Sequence, residues 1–166
     1  MKGRLFCTTF IFVAAIFLAG CQTTSLYSTA GFVLPEDLVS ISPDDGAGTW
    51  KGKDLDVDFK YSRAGGSVDF LGAVHWADHI TYNFSRLVDF QISVIFTDRN
   101  GKVLAMRSIA TNRGSLDPVP FRIRLAMPPD TASLAFSYRG NASEGGNDDG
   151  GGGPTYFWQH PVRTGI

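Results

Sequence analysis

Two cysteines are all that the 166-residue chain contains, Cys7 and Cys21, and both fall within its first twenty-one positions. The remainder therefore has no thiol for a disulfide, a sulfur-ligated metal or a cysteine nucleophile, and its fold has to be held by the core alone. Beyond residue 21 no stretch keeps a 3.6-residue apolar period, which argues against a helical bundle. The motifs that announce common chemistries are missing too: no Gly-Lys-Ser/Thr phosphate loop, no Gly-x-Ser-x-Gly elbow and no His-Glu-x-x-His zinc helix occurs. Charge is scarce and nearly balanced, with 15 basic against 16 acidic residues and a formal net charge of −1. There is no basic stripe of the kind that nucleic-acid binders carry, so no nucleic-acid partner is expected.

What the chain does have is aromatic and β-branched residues in alternating patterns. Thirteen Phe, five Tyr and three Trp supply core volume and favour strands. Leu55, Val57, Phe59 and Tyr61 alternate with Asp54, Asp56, Asp58 and Lys60, the period of a strand with one dry and one wet face. Val68, Phe70, Val74 and Trp76 repeat the pattern after an Ala64-Gly65-Gly66 turn. Ile80, Tyr82 and Phe84 extend it, and a break at Ser85-Arg86 precedes Val88, Phe90, Ile92, Val94 and Phe96. Asp98-Arg99-Asn100-Gly101 then predicts a hairpin into Val103–Met106, because Asn-Gly accepts the positive φ of tight turns. Further strands are read at Phe121–Met127, at Leu134–Tyr138 and, after the glycine-rich Gly145–Gly153 loop, at Thr155–Gln159. Phe32–Leu34 and Leu38–Ile41, around Pro35, read as a short strand pair or a sheet edge. Asp44–Gly48 reads as a loop.

Short strands separated by turn signals predict an all-β domain, an antiparallel β-sandwich of about seven to eight strands. The run Val88–Tyr138, with its Thr97–Lys102 turn and Pro120-Phe121 strand entry, resembles the immunoglobulin-like or fibronectin-like sandwich modules of envelope lipoproteins. Gly48-Thr49-Trp50 resembles the Gly-x-Trp of lipocalin first strands, which keeps a lipocalin-like β-barrel as the alternative.

The N-terminus has a different character. Lys2 and Arg4 precede an apolar run from Leu5 to Leu18 broken only by Thr8 and Thr9, shorter than the roughly 20 apolar residues a bilayer span needs. A spanning helix is the alternative, but polar Gln22-Thr23-Thr24-Ser25 follows directly, without a basic stop-transfer cluster. Leu18-Ala19-Gly20-Cys21 resembles the lipobox of bacterial lipoproteins. That resemblance implies a signal peptide over 1–20, cleavage before Cys21, and lipidation of the Cys21 thiol and amine. Gln22 is not the Asp that marks inner-membrane retention in enteric bacteria, which favours a lipid-anchored place in the cell envelope at the outer membrane. Residues 21–31 then serve as acylated N-terminus and tether, and 32–166 as the β-sandwich domain. After removal of Lys2 and Arg4, 13 basic residues face 16 acidic ones.

Candidate chemistry is sparse. His75 and His79 are spaced as two ligands on a helix face, with His160 as a possible third imidazole, but their flanks read as strand; no metal site is expected. The acids of 54–58 and of Asn147-Asp148-Asp149 read as solvated rather than as calcium ligands. No catalytic residue and no cofactor is expected, and the chain is read as a non-enzyme: a structural or protein-interaction module whose partners are the membrane, through its lipid, and another envelope protein. The alternative is a ligand-binding module, either a carbohydrate-binding sandwich or a lipocalin-like carrier. Trp50, Tyr156 and Trp158, close to loops, are the candidates for ligand or partner contact, whereas Trp76 and Tyr82 are assigned to the core.

Burying acyl carbons is worth about 0.8 kcal/mol per methylene, so more than one chain on one residue anchors stably. Cys21→Ser is therefore expected to move the protein from the membrane to the soluble fraction and to abolish palmitate labelling. A mutant that stayed membrane-bound at high salt would contradict the anchor.

Overall fold

The computed structural model describes residues 31–144 and 153–164. Cys21, the lipobox, the tether and Gly145–Gly152 lie outside the described residues. In order, the elements are β1 (Phe32–Val33), β2 (Val39–Ser40), β3 (Gly46–Lys51), β4 (Leu55–Ala64), β5 (Ser67–Trp76), α1 (Asp78–Asn83), β6 (Arg86–Thr97), β7 (Val103–Gly114), β8 (Val119–Ala126), β9 (Ser133–Ser143), β10 (Thr155–Gln159) and β11 (Val162–Arg163). Among the described residues no helix is long and apolar enough to cross a membrane.

Two antiparallel sheets face each other. One runs β3-β4-β5-β8, and the other runs β10-β9-β6-β7 with β2 also paired to β9. β6 lies along one side of β9 from end to end. β2 and β10 therefore share the other side, β2 at Ser133-Leu134 and β10 from Tyr138 to Ala142. The sheets are open, so the architecture is the all-β sandwich and not the closed barrel. Of its eight longer described strands, β3 to β10, the sequence predicts all but β3.

The alternation works because every second side chain enters the same space. Leu55, Val57, Phe59 and Tyr61 of β4 are all buried, and Val68, Phe70 and Val74 of β5 join them. From the other sheet come Phe90, Ile92, Val94 and Phe96 of β6 and Leu134, Phe136 and Tyr138 of β9. Rings meet across the gap: Trp50 on Phe136 at 5.6 Å, Phe59 on Phe136 at 5.4 Å, Phe70 on Phe96 at 6.3 Å and Trp76 on Phe90 at 4.6 Å. Tilted and edge-on contacts of this kind add to the burial of area. A second, smaller core of Val33, Ile95, Val103, Met106 and Ala135 lies on the outer side of β6, β7 and β9. The β1-β11 pair packs there through Val33 and Val162.

Several expectations change. Ile80, Tyr82 and Phe84 do not continue a strand: 78–83 forms a single helical turn that buries only Ile80. Tyr82 is consequently 84% exposed rather than part of the core. Phe32-Val33 and Val39-Ser40 do not pair with each other but dock on β11 and β9. Gly46–Gly48 belongs to β3, not to a loop, and pairs with Phe59–Tyr61. The hairpin at Asp98–Gly101 is present, yet only Gly101 has a positive φ, of 78°. Asp98 closes it by accepting the backbone N–H groups of Asn100 and Lys102 at Oδ1. The turn is therefore a four-residue β-turn with glycine in the left-handed region, not a two-residue primed turn.

Phe90 is buried and Gln91, next to it, points out of the sandwich. Phe90→Ala is expected to cost about 3–5 kcal/mol in urea denaturation and Gln91→Ala less than about 1 kcal/mol. Similar losses at both positions would contradict the assigned faces.

Candidate functional site

Trp50 does not take the surface role expected of it. β3 turns its ring inward, leaving it 2% exposed against Phe136 and Tyr138, with its indole N–H donating to the Asp37 carbonyl at 3.0 Å. Tyr156 and Trp158 are surface rings, 74% and 67% exposed. Trp76 is half-buried: it packs on Phe90 and Phe157 while its N–H donates to the Asp117 carbonyl.

The three histidines separate. His75 lies 3.6 Å from Asp58 on the outer face of the β3-β4-β5-β8 sheet, His79 lies 3.0 Å from Asp54, and His160 Nδ1 lies 2.9 Å from the Ser137 hydroxyl. Burial pushes the His160 imidazole below its ordinary value, toward the neutral form. Among the described residues no group of three or more His, Cys, Asp or Glu side chains is placed to hold a metal ion.

Asp54 departs from the solvated role that the alternation assigns it. It precedes β4 and is 4% exposed. Its Oδ2 accepts the Tyr138 hydroxyl at 2.7 Å, its Oδ1 faces His79 Nε2, and its own backbone N–H donates to the Tyr138 oxygen at 3.0 Å. Gln159 Oε1 sits 3.3 Å from the same hydroxyl and accepts the Lys53 N–H at 2.8 Å. Burial first, and then the hydrogen bond to Asp54 and its charge, push the Tyr138 phenol pKa upward, which keeps it a donor. The cluster joins β4, α1, β9 and β10 and uses its own groups as partners. It is a tie between the sheets.

The open surface is elsewhere, on the outer face of the β10-β9-β6-β7 sheet. Phe157 points into the core, so Tyr156 and Trp158 must point out. Gly140 makes that placement possible, because a methyl group there would overlap the Phe157 ring. Register then sets the outward side chains in rows. Trp158 pairs with Arg139, Arg139 with Gln91, and Gln91 with Thr111; Tyr156 pairs with Asn141, and Asn141 with Asp89. Arg139 donates to Gln91 Oε1 at 3.0 Å. Val88 is the extra residue of a bulge between Leu87 and Asp89, beside this face. Asp89, Gln91, Thr111, Arg113 and Arg139 line an open recess of about 510 Å³. Asn141 is 6% exposed and its Oδ1 has no hydrogen-bond partner.

A depression of about 600 Å³ on the opposite sheet is floored by Ala47, Gly48 and Ala73 beside the exposed Leu71. It has no exposed ring and owes its hollow to small side chains. The sequence singled out Tyr156 and Trp158 but not Arg139, Gln91, Asn141 or Asp89. The polar alternates Ser137, Arg139 and Asn141 between Phe136, Tyr138 and Gly140 were the available signal, and only the pairing with β10 gives it meaning.

Asp54→Ala would remove the short acceptor of the Tyr138 hydroxyl, leaving it only the longer contact with Gln159 Oε1, and is expected to cost about 2–4 kcal/mol. Asp58→Ala, at an exposed position, should change stability by less than about 0.5 kcal/mol. Equal effects in urea denaturation would refute the tie. Comparison with known proteins finds no family model, no curated protein and no solved structure that matches this chain.

Proposed function

We propose that the chain is a lipid-anchored envelope lipoprotein, held at the outer membrane through Cys21, whose β-sandwich binds another envelope component and carries out no reaction. The observation behind the binding role is the pair of exposed rings, Tyr156 and Trp158, on one side of one short strand. Solvent-exposed aromatic rings set beside hydrogen-bonding groups are characteristic of contact surfaces. The strand that carries them is fixed to the body by Phe157 in the core and by Gln159 at the buried Asp54-Tyr138 pair. A rigid platform of this kind loses little freedom on association. The anchoring role rests on the lipobox resemblance of Leu18–Cys21.

Among envelope components, a glycan rather than a protein as the partner, the carbohydrate-binding reading, is favoured by the planar Gln91 and Arg139 groups beside Trp158. A lipocalin-like carrier is not proposed, since the sheets are open and their shared interior is filled by aromatic rings.

Replacing Tyr156 and Trp158 together by Ser is expected to change thermal stability little, because both rings are exposed. The same double variant should lose the envelope components recovered by crosslinking on intact membranes. An unchanged set of crosslinked species would refute this face as the contact surface.

A further inference from the structure

We propose that the outer face of β10, β9, β6 and β7 binds an acidic glycan chain, one whose sugars carry carboxylates. The proposal rests on the reading of this face as the contact surface and names its occupant.

Tyr156 and Trp158 stand two residues apart on one strand, about 7 Å, and on the same side. Their ring faces offer an electron-rich, apolar surface that matches the C–H face of a pyranose, while the phenol and indole edges still hydrogen-bond. Next to them, Arg139, Gln91 and Thr111 continue the Trp158 row, and Asn141 and Asp89 continue the Tyr156 row. Planar guanidinium, amide and carboxylate groups pair with neighbouring hydroxyls of a sugar.

Charge selects the kind of glycan. Arg86, Arg113 and Arg139 occupy this sheet around Asp89, the one carboxylate on its described strands, with Glu144 exposed just past the end of β9, in a chain whose formal net charge is −1. A local excess of arginine favours a carboxylate-bearing ligand, which a guanidinium can meet with two parallel hydrogen bonds. Shape selects a chain over a small molecule. The recess of about 510 Å³ is open, and the face spans roughly 14 Å from β10 to β7 at the usual strand spacing, so a polymer can lie across it.

A protein partner is less well matched. Protein interfaces put apolar groups at the centre and polar groups at the rim. Here the order is inverted: the rings stand on the outermost strand, and arginine, amide and carboxylate groups hold the centre.

Calorimetric titration of the full chain in detergent micelles with oligogalacturonate tests the proposal, with neutral maltooligosaccharide and polyglutamate as companion probes. The expected result is saturable binding of oligogalacturonate that weakens with salt, with little binding of the other two. Trp158→Ala and Arg139→Gln should each weaken it about tenfold or more, and Trp158→Phe should retain most of it. No binding of oligogalacturonate, equal binding of polyglutamate, or affinity unchanged in Trp158→Ala would each overturn the glycan. If the glycan fails while the Tyr156 and Trp158 double variant still loses its crosslinked envelope components, the contact surface stands with a different occupant. If both fail, the contact surface falls as well.

Discussion

A carboxylate placed between two sheets has to find partners, and the Asp54 side chain finds them on both sides of the gap. Removing it from water without compensation costs several kcal/mol, so its burial is tolerable only while Tyr138 and His79 are in place. That condition constrains the rest of the structure. Tyr138 belongs to β9, the strand shared by β6, β10 and β2. His79 belongs to α1, so the one helical turn between β5 and β6 is held where its imidazole reaches the carboxylate. Gln159 reaches the same phenol from β10. One buried hydroxyl and one buried acid thus fix the corner before β4, the crossover between the sheets and the closing strand.

The proposed contact face follows from the same constraint through the two-residue period of a strand. With Phe157 packed over Gly140 and Gln159 turned toward Tyr138, the residues between and before them have no choice of side. Tyr156 and Trp158 are outward because their neighbours are inward. Their partners Asn141 and Arg139 are outward for the corresponding reason on β9, where Tyr138 and Ala142 face the core. A slip of one residue in β10 would bury the two rings and expose Phe157, so the register specified by the core also specifies the surface.

Much of this fold is legible in the sequence wherever one face is wet. β4 and β5 alternate apolar with charged residues and are read correctly from that pattern alone. β9 is harder, because Ser133–Tyr138 is buried on both faces and the alternation there carries less contrast. Ile80, Tyr82 and Phe84 mislead in the opposite way. Their spacing imitates a strand, but the segment is closed by local bonds, Thr81 to the Asp78 carbonyl and Asn83 to the His79 carbonyl, and by the distant Asp54. Trp50 was misplaced because Gly46–Gly48 reads as loop, whereas those glycines belong to β3 and pair in register with Phe59–Tyr61. Of the proposed contact surface, the two rings were legible from their place beside a loop. Arg139, Gln91, Asn141 and Asp89 were not, since what unites them is register across four strands.

The division of the aromatic residues explains why the proposed contact surface lies on the outside of the sandwich. Trp50, Phe59, Phe70, Phe90, Phe96, Phe136 and Tyr138 fill the space between the sheets, as they must in a domain without disulfides. Among the described residues, a sandwich packed in this way has no interior to offer a ligand. What it offers is area: a twisted, rigid sheet surface whose side chains are placed at fixed intervals by the ladder beneath them. Repeating ligands suit such a surface, because each repeat meets an equivalent row and weak contacts accumulate along the chain. The two rows that begin at Tyr156 and Trp158 are the part of this surface where rings, amides and arginines fall within one stride of each other. The core spends its aromatics on cohesion, and these two rings are left outside by register rather than by a failure of packing.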